Sequence, residues 1–86
     1  TLLYYFNKNV EIDFCVPSAQ LAIQVSYNLN DEATYEREVG GLIKFLKAFP
    51  GYHGYIITRD YQTQIKADGY TIEVVPIWKW LLQDNN

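Results

Sequence analysis

The chain has 86 residues, of which 49% are hydrophobic, and ten acidic against seven basic side chains give it a net charge of −3. This length supports one domain near the lower end of the range for independent folding, and the hydrophobic fraction excludes a disordered segment. The acidic balance argues against nucleic-acid binding by this chain alone, because neutralising phosphates requires a basic excess.

Three further features of the composition bear on location and completeness. No apolar run approaches the roughly 20 residues of a membrane span, and no segment has the pattern of a signal peptide. The single cysteine, Cys15, cannot form an internal disulfide, which predicts a reducing, cytoplasmic environment. Because the chain begins at Thr1 and contains no methionine, we expect residues 1–86 to be one domain cut from a longer protein.

The first third of the chain predicts three strands in succession. Residues 2–6 form a short aromatic and aliphatic run, which ends at the turn-prone residues 7–9. Residues 10–16 and 21–27 alternate strictly between apolar and other side chains, which is typical of strands with one face against a core. Tight connections between them predict an antiparallel β-meander.

The middle of the chain predicts a helix followed by a fourth strand. Asn30 or Asp31 can cap the helix, and Pro50-Gly51 ends it. Five apolar residues recur at helical spacing: Tyr35, Val39, Leu42, Leu46 and Phe49. Residues 55–59 then form an apolar strand. The order strand, helix, strand predicts a right-handed crossover that pairs this strand in parallel with the sheet.

The last third predicts one further strand and a short helix. Residues 61–68 are polar and predict a loop or a weak hairpin, and residues 70–75 predict a strand after the Asp68-Gly69 turn. The helix that follows carries Trp78 and Trp80. Residues two apart on a helix point in different directions, so we expect one of them to be core and the other to be an exposed interaction anchor. The fold class is therefore α/β with a mixed sheet.

Four polar side chains share one predicted face of the second and third strands: Glu11, Asp13, Gln24 and Ser26. A turn centred within residues 17–20 places Asp13 opposite Gln24, and Glu11 opposite Ser26. Facing Cβ atoms would then be about 4.5–5.5 Å apart. The other face of both strands is aliphatic and aromatic, and we expect it to pack against the predicted helix at residues 31–49.

This constellation suggests metal chemistry, with a plainer alternative. Hydrolysis of a phosphodiester with Mg²⁺ requires hard oxygen ligands and a cation beside the attacking water. Asp13 and Glu11 are the candidate metal ligands. Gln24 offers only a neutral carbonyl oxygen, and Ser26 cannot replace a lysine ammonium. The alternative is that these residues form the solvent-facing side of an ordinary meander.

Several motifs in order carry a family resemblance. They are Glu-Ile-Asp-Phe at residues 11–14, Ile-Gln-Val-Ser-Tyr at 23–27, Gly-Tyr-Ile-Ile-Thr-Arg-Asp at 54–60, and Ile-Glu-Val-Val-Pro-Ile-Trp-Lys-Trp at 72–80. Together they resemble the C-terminal domain of unknown function in prokaryotic AAA-type P-loop ATPases. That domain is restriction-endonuclease-like and related to the PD-(D/E)XK nucleases. The resemblance covers residues 4–82.

The resemblance implies a parent protein whose preceding domains bind and hydrolyse ATP. This chain has no Gly-x-x-x-x-Gly-Lys-Ser/Thr loop, so no cofactor site is expected in it. The family's metal-binding hairpin has an acid on one strand and Glu-x-Lys on the next. Asp13 matches the acid, whereas Gln24 replaces the Glu and Ser26 replaces the Lys.

The expected function is therefore a non-catalytic interaction or recognition domain with a degenerate nuclease-like site. Its expected partners are the preceding ATPase domains or another protein, with no membrane association, and nucleic-acid binding is left open. One alternative is a metal-dependent DNA nuclease that uses Glu11, Asp13 and Gln24, in which case Mg²⁺ would be needed. A second is a self-contained protein-interaction domain, which should expose an apolar patch near the tryptophan helix.

Overall fold

The alternating and periodic segments of the chain form six strands and two helices. A computed structural model describes the backbone of residues 3–7 and 10–84 and the side chains of residues 12–82. The elements are β1 (Leu3–Asn7), β2 (Val10–Val16), a 3-10 turn (Pro17–Ala19), β3 (Leu21–Val25), α1 (Glu32–Ala48), β4 (His53–Thr58), β5 (Thr63–Ala67), β6 (Tyr70–Pro76) and α2 (Ile77–Asp84).

The strands form one mixed sheet in the order β1-β2-β3-β4-β6-β5. The antiparallel meander β1-β2-β3 is confirmed, and so is the parallel pairing of β3 with β4 after α1. The polar residues 61–68 are not only a loop, because β5 pairs antiparallel with β6 along its length. Asp68 (φ 54°) and Gly69 (φ 84°) make the tight turn between these two strands. Two positive φ values are what such a hairpin turn requires.

Helix α1 begins and ends where its sequence predicts. The Asp31 carboxylate accepts hydrogen bonds from the backbone N–H of Thr34 at 2.9 Å and from its hydroxyl at 2.8 Å. These two bonds favour the charged form, so the pKa of Asp31 is lowered from its usual value. The helix ends at Phe49, whose backbone N–H bonds to the Phe45 carbonyl, and the Pro50-Gly51 sequence follows.

One face of the sheet is covered by α1, and the main core lies between them. Phe45 is 1% exposed and lies at the centre of an aromatic cluster, with ring centroids 4.7 Å from Phe49 and 5.2 Å from Tyr52. Gly54 on β4 lets the helix approach, because a Cβ there would lie 3.1–3.2 Å from the side chains of Leu42 and Leu46. The buried core members are Ile12, Cys15, Ala22, Val39, Leu42, Ile43, Phe45, Leu46, Ile56, Ile65, Ile72 and Val74.

The prediction that the apolar side of the hairpin packs on α1 is wrong. On β3, Ala22 belongs to the α1 core, whereas Ile23 belongs to a second cluster with Ile57 and Val75. Because strand side chains alternate, Gln24 lies on the α1 side with Ala22. Apart from Ile12, which belongs to the α1 core, the aliphatic and aromatic stripe therefore faces away from α1 and towards α2. The alternative that the polar face meets solvent is also not met at Gln24 and Ser26, which are buried.

Strict alternation along β2 is also wrong, because the strand carries an extra residue. Cys15 pairs with Leu3 of β1, but Ile12 pairs with Tyr5, so three residues of β2 span two of β1. This bulge puts Ile12 and Cys15 in the same α1 core, although a regular strand would point them to opposite faces. The bulge lies where the backbone pairing of β2 with β3 stops, at Phe14 and Ile23.

Candidate functional site

Asp13 and Gln24 join β2 to β3 at the point where the two strands separate. The backbone hydrogen bonds between β2 and β3 include the facing pair Phe14 and Ile23, in the register predicted from a turn at residues 17–20. Beyond that pair, the Asp13 N–H donates to Gln24 Oε1 at 3.0 Å. The Val25 N–H donates to Asp13 Oδ2 at 2.9 Å. Each side chain thus satisfies a backbone N–H of the opposite strand, which a continued ladder would otherwise satisfy.

Ser26 and Glu11, the other two predicted site residues, are placed differently from Asp13 and Gln24. Ser26 is 8% exposed, and its backbone N–H donates to the Ile57 carbonyl at 2.9 Å, so it extends the pairing of β3 with β4. The backbone of Glu11 pairs with Phe6 of β1, and the Glu11 side chain lies outside the described residues. The backbone pairing of β2 with β3 ends at Phe14 and Ile23, so the predicted opposition of Glu11 and Ser26 is not part of it.

The Asp13–Gln24 arrangement is better suited to joining strands than to binding a cation. Gln24 is 3% exposed, and its carbonyl oxygen already accepts a hydrogen bond. Among the residues whose side chains are described, no three His, Cys, Asp or Glu side chains are grouped as metal ligands. A lysine that could replace the ammonium that Ser26 lacks would have to come from elsewhere, and Lys66 lies on β5. Strand spacing of about 4.8 Å places β5 roughly 14 Å from β3.

A groove lies on the opposite face of the sheet, between α2 and the β2–β3 hairpin. Its volume is about 550 Å³. Among the residues whose side chains are described, its lining is uncharged and consists of Phe14, Val16, Ala19, Leu21, Ile23, Val25, Ile57, Ile77, Trp80 and Leu81. Helix α2 makes most of its sheet contacts with β4 and β6, and its Trp80 also packs against the cluster that contains Ile23 of β3. Farther along this face, Phe14 on β2 and Val25 on β3 remain about 40% exposed.

Helix α2 has one anchored tryptophan and one exposed tryptophan. The Trp80 ring lies 5.2 Å from that of Tyr55 on β4 and packs against the second cluster. Trp78 is 57% exposed, and Leu81 and Leu82 are 54% and 61% exposed. Next to the groove, α2 therefore forms an apolar ridge, defined here as Trp78 and Leu82.

The same face becomes polar toward the other end of the sheet. Gln64 and Glu73 face each other on β5 and β6, and their side chains hydrogen-bond at 2.6 Å. Lys66 lies beside them in the same shallow polar cleft. The uncovered apolar surface is thus confined to the β2–β3 end.

Sequence reasoning expected an exposed apolar patch near the tryptophan helix in one alternative, but it placed the groove residues of β2 and β3 in the core. Two signals could have found them. Residues 55–57 read Tyr-Ile-Ile, an unbroken apolar run that indicates a strand buried on both faces. The second helix, at residues 77–84, is too short to cover the whole of that second face.

Comparison of the chain with known protein families, with curated proteins and with solved structures found no match. Within the described residues, neither helix is long and apolar enough to cross a membrane.

Proposed function

We propose that this chain is a non-catalytic protein-interaction domain whose binding surface is the apolar groove between α2 and the β2–β3 hairpin. The observation that carries the proposal is the groove itself, which is lined by ten apolar residues and bordered by the exposed ridge of Trp78 and Leu82. Exposed apolar surface that is concentrated in one patch marks interaction sites in soluble proteins, whereas scattered apolar residues do not.

The groove supports a protein partner over nucleic acid. Nucleic-acid surfaces gain most of their affinity from basic side chains against phosphates. No charged residue is among the described side chains that line the groove, and the whole chain has a net charge of −3. Protein interfaces are instead depleted in charge at their centre and enriched in aromatic residues, as this surface is with Phe14, Trp78 and Trp80.

The Asp13–Gln24 pair supports a structural role for the residues that resemble a nuclease site. The Asp13 carboxylate and the Gln24 amide each satisfy a backbone N–H where β2 and β3 part. A metal ligand set would need those oxygens to point at one shared cation, together with a second carboxylate. We therefore favour the interaction domain over the metal-dependent nuclease, which would use Glu11, Asp13 and Gln24 with Mg²⁺.

We also propose that the fold is restriction-endonuclease-like, which the strand order supports, and that the parent protein is an AAA-type ATPase, which rests on the sequence resemblance alone. A meander, a crossover helix and a parallel strand follow one another as that resemblance implies. In such a parent, the preceding ATPase domains would hold the ATP. A buried free thiol, Cys15, is compatible with the cytoplasmic location that we propose.

Binding of the apolar dye anilinonaphthalene sulfonate, measured by fluorescence in dilute protein, tests whether the groove accepts an apolar ligand. We expect saturable binding that Leu81→Ser weakens and that the matched change Ala48→Ser, on the exposed side of α1, leaves unchanged. Cooperative unfolding with coincident probes must accompany the binding, since partly folded states also bind this dye. Absence of dye binding, or DNA cleavage that disappears in Asp13→Asn, would overturn the proposal.

A further inference from the structure

We infer that the occupant of the groove is a second copy of this chain, in a two-fold dimer that seats the Trp78–Leu82 ridge of each copy in the groove of the other. This inference rests on the proposed function and names its partner. It is carried by three features of the described residues: the width of the apolar arc on α2, the position of the ridge beside the groove, and the amount of apolar surface left exposed.

Helix α2 is apolar around more of its circumference than its own sheet can bury. At about 100° per residue, an uninterrupted apolar arc of about 140° is formed by Ile77, Leu81, Trp78 and Leu82, and Trp80 lies about 60° beyond Ile77. A helix that packs on one surface needs an arc of only about 100°. Trp80 packs against Tyr55, and Trp78 and Leu82 point away from that contact. The end of the arc with Trp78 and Leu82 indicates a second packing partner for the same helix.

The ridge and the groove lie side by side on one face, and this makes the surface self-complementary. In a two-fold interface, a protruding element of one copy meets a depression of the other, and the same contact occurs twice. Seating α2 of the second copy over β2 and β3 would give each sheet the helix that its uncovered strip lacks. Parallel pairs such as β3 and β4 are usually covered on both faces.

The exposed apolar area is also what one side of a stable dimer requires. Six side chains are 40–61% exposed on this face: Phe14, Val25, Ile77, Trp78, Leu81 and Leu82. They leave on the order of 500 Å² of apolar surface, and a standard interface buries about 800 Å² per partner, slightly more than half of it apolar. The described side chains that line the groove carry no charge that would oppose the contact.

Sedimentation equilibrium over a wide concentration range tests the dimer directly. We expect reversible dimerisation that added salt does not weaken. Leu82→Lys should weaken the dimer about tenfold or more, and Val25→Glu should do the same, because each places a charge in the apolar contact. Ala48→Lys is the matched control, as it adds the same charge to an exposed helical position on the opposite side of the sheet. It should leave dimerisation unchanged.

Mixing the two variants tests the seating of the ridge in the groove. A Leu82→Lys copy and a Val25→Glu copy should form a mixed dimer, because one contact then pairs opposite charges and the other is native. Dissociation of both variants without recovery in the mixture would overturn this seating. Both variants should retain cooperative unfolding, since both positions are more than 40% exposed.

The remaining outcomes separate this inference from the proposed function. A wild-type chain that stays monomeric at every concentration and binds the apolar dye would overturn the dimer and leave the interaction groove standing. A monomer that binds no dye would overturn both. A dimer that persists in Leu82→Lys and Val25→Glu would place self-association on another surface, and the second copy would then not be the occupant of the groove.

Discussion

The two faces of the sheet differ in how completely they are covered. On one face, the 17-residue helix α1 lies across β2, β3 and β4 and buries a continuous core with side chains such as Leu42 and Ile56 at 0% exposure. On the other face, the eight-residue helix α2 covers β4 and β6 and leaves Phe14 and Val25 about 40% exposed. Both faces of the sheet are apolar at β3 and β4, but only the α1 face is fully covered by a helix.

This difference separates the residues that hold the fold from those available for binding. The stability of a small domain comes mainly from its continuous core, and here that core lies under α1. The open face contributes less to folding, so its apolar side chains are the ones whose burial a partner can complete. Gln24 lies on the α1 side, so the Asp13–Gln24 pair contributes to holding the fold together and is not part of the open face.

The largest expected difference is between matched leucines on the two helices. Leu42→Ala removes a side chain of 0% exposure and should cost about 2–5 kcal/mol of unfolding free energy, because it leaves a cavity in the closed core. Leu81→Ala removes a side chain that is 54% exposed and should cost below about 1 kcal/mol in the monomer. Urea denaturation measures both. Equal losses would mean that the two faces are equally closed.

The next difference is between two glycines in the α1 layer. Gly54→Ala places a Cβ 3.1–3.2 Å from Leu46 and Leu42 in the packed core and should cost about 1–3 kcal/mol. Gly40→Ala meets nothing within 4 Å and should gain about 0.5–1 kcal/mol, because alanine favours a helix over glycine. A gain at Gly54 would show that α1 is loosely seated on β4.

A smaller effect should distinguish a structural Asp13 from a charged ligand. Asp13→Ala leaves the Val25 N–H without its acceptor and should cost about 1 kcal/mol. Asp13→Asn keeps an oxygen in reach of that N–H, so most of the stability should remain. Thermal and urea unfolding of the two variants provide the comparison. A loss in Asp13→Asn as large as that in Asp13→Ala would mean that the charge, and not the oxygen, is what the site requires.

The smallest expected effect is on the pH dependence of the α1 cap. The pKa of Asp31 is lowered by its hydrogen bonds to Thr34. The Asp31 carboxylate therefore stabilises the fold at pH values above the pKa that Asp31 has in the unfolded chain. This contribution is lost as the pH falls through the lower pKa that Asp31 has in the folded protein. Asp31→Asn keeps a capping side chain but has no such titration. The wild-type advantage over Asp31→Asn should thus be present at neutral pH and vanish in strong acid; an advantage that persists there would contradict the assignment.

Local patterns predicted the strands and helices, but not which face of the sheet each residue would occupy. The Asp31 cap, the Asp68-Gly69 turn and the β2–β3 register all follow from short-range chemistry, and the structure agrees. The face assignment failed because alternation defines two stripes without saying which of them α1 covers. The bulge that brings Ile12 and Cys15 to one face depends on the pairing with β1, which no local pattern reports.

The candidate site was predictable in its contacts and not in its surroundings. The turn geometry placed Asp13 beside Gln24, and the two residues are hydrogen-bonded. The burial of Gln24 and Ser26 depends on the side to which α1 packs, so the sequence suggested solvent where the structure has core. The groove depends on the length of α2 relative to the width of the sheet, a property of the assembled fold.

The measurement that most directly separates a structural Asp13–Gln24 pair from an active metal site is a Mg²⁺ titration followed by ¹⁵N NMR. The amide signals to watch are those of Asp13 and Val25, whose N–H groups donate within the pair. If the pair only joins the strands, these signals should show no localised, saturable shift at millimolar Mg²⁺. Saturable shifts centred on these amides, and absent in Asp13→Asn, would contradict the structural role and restore the nuclease alternative.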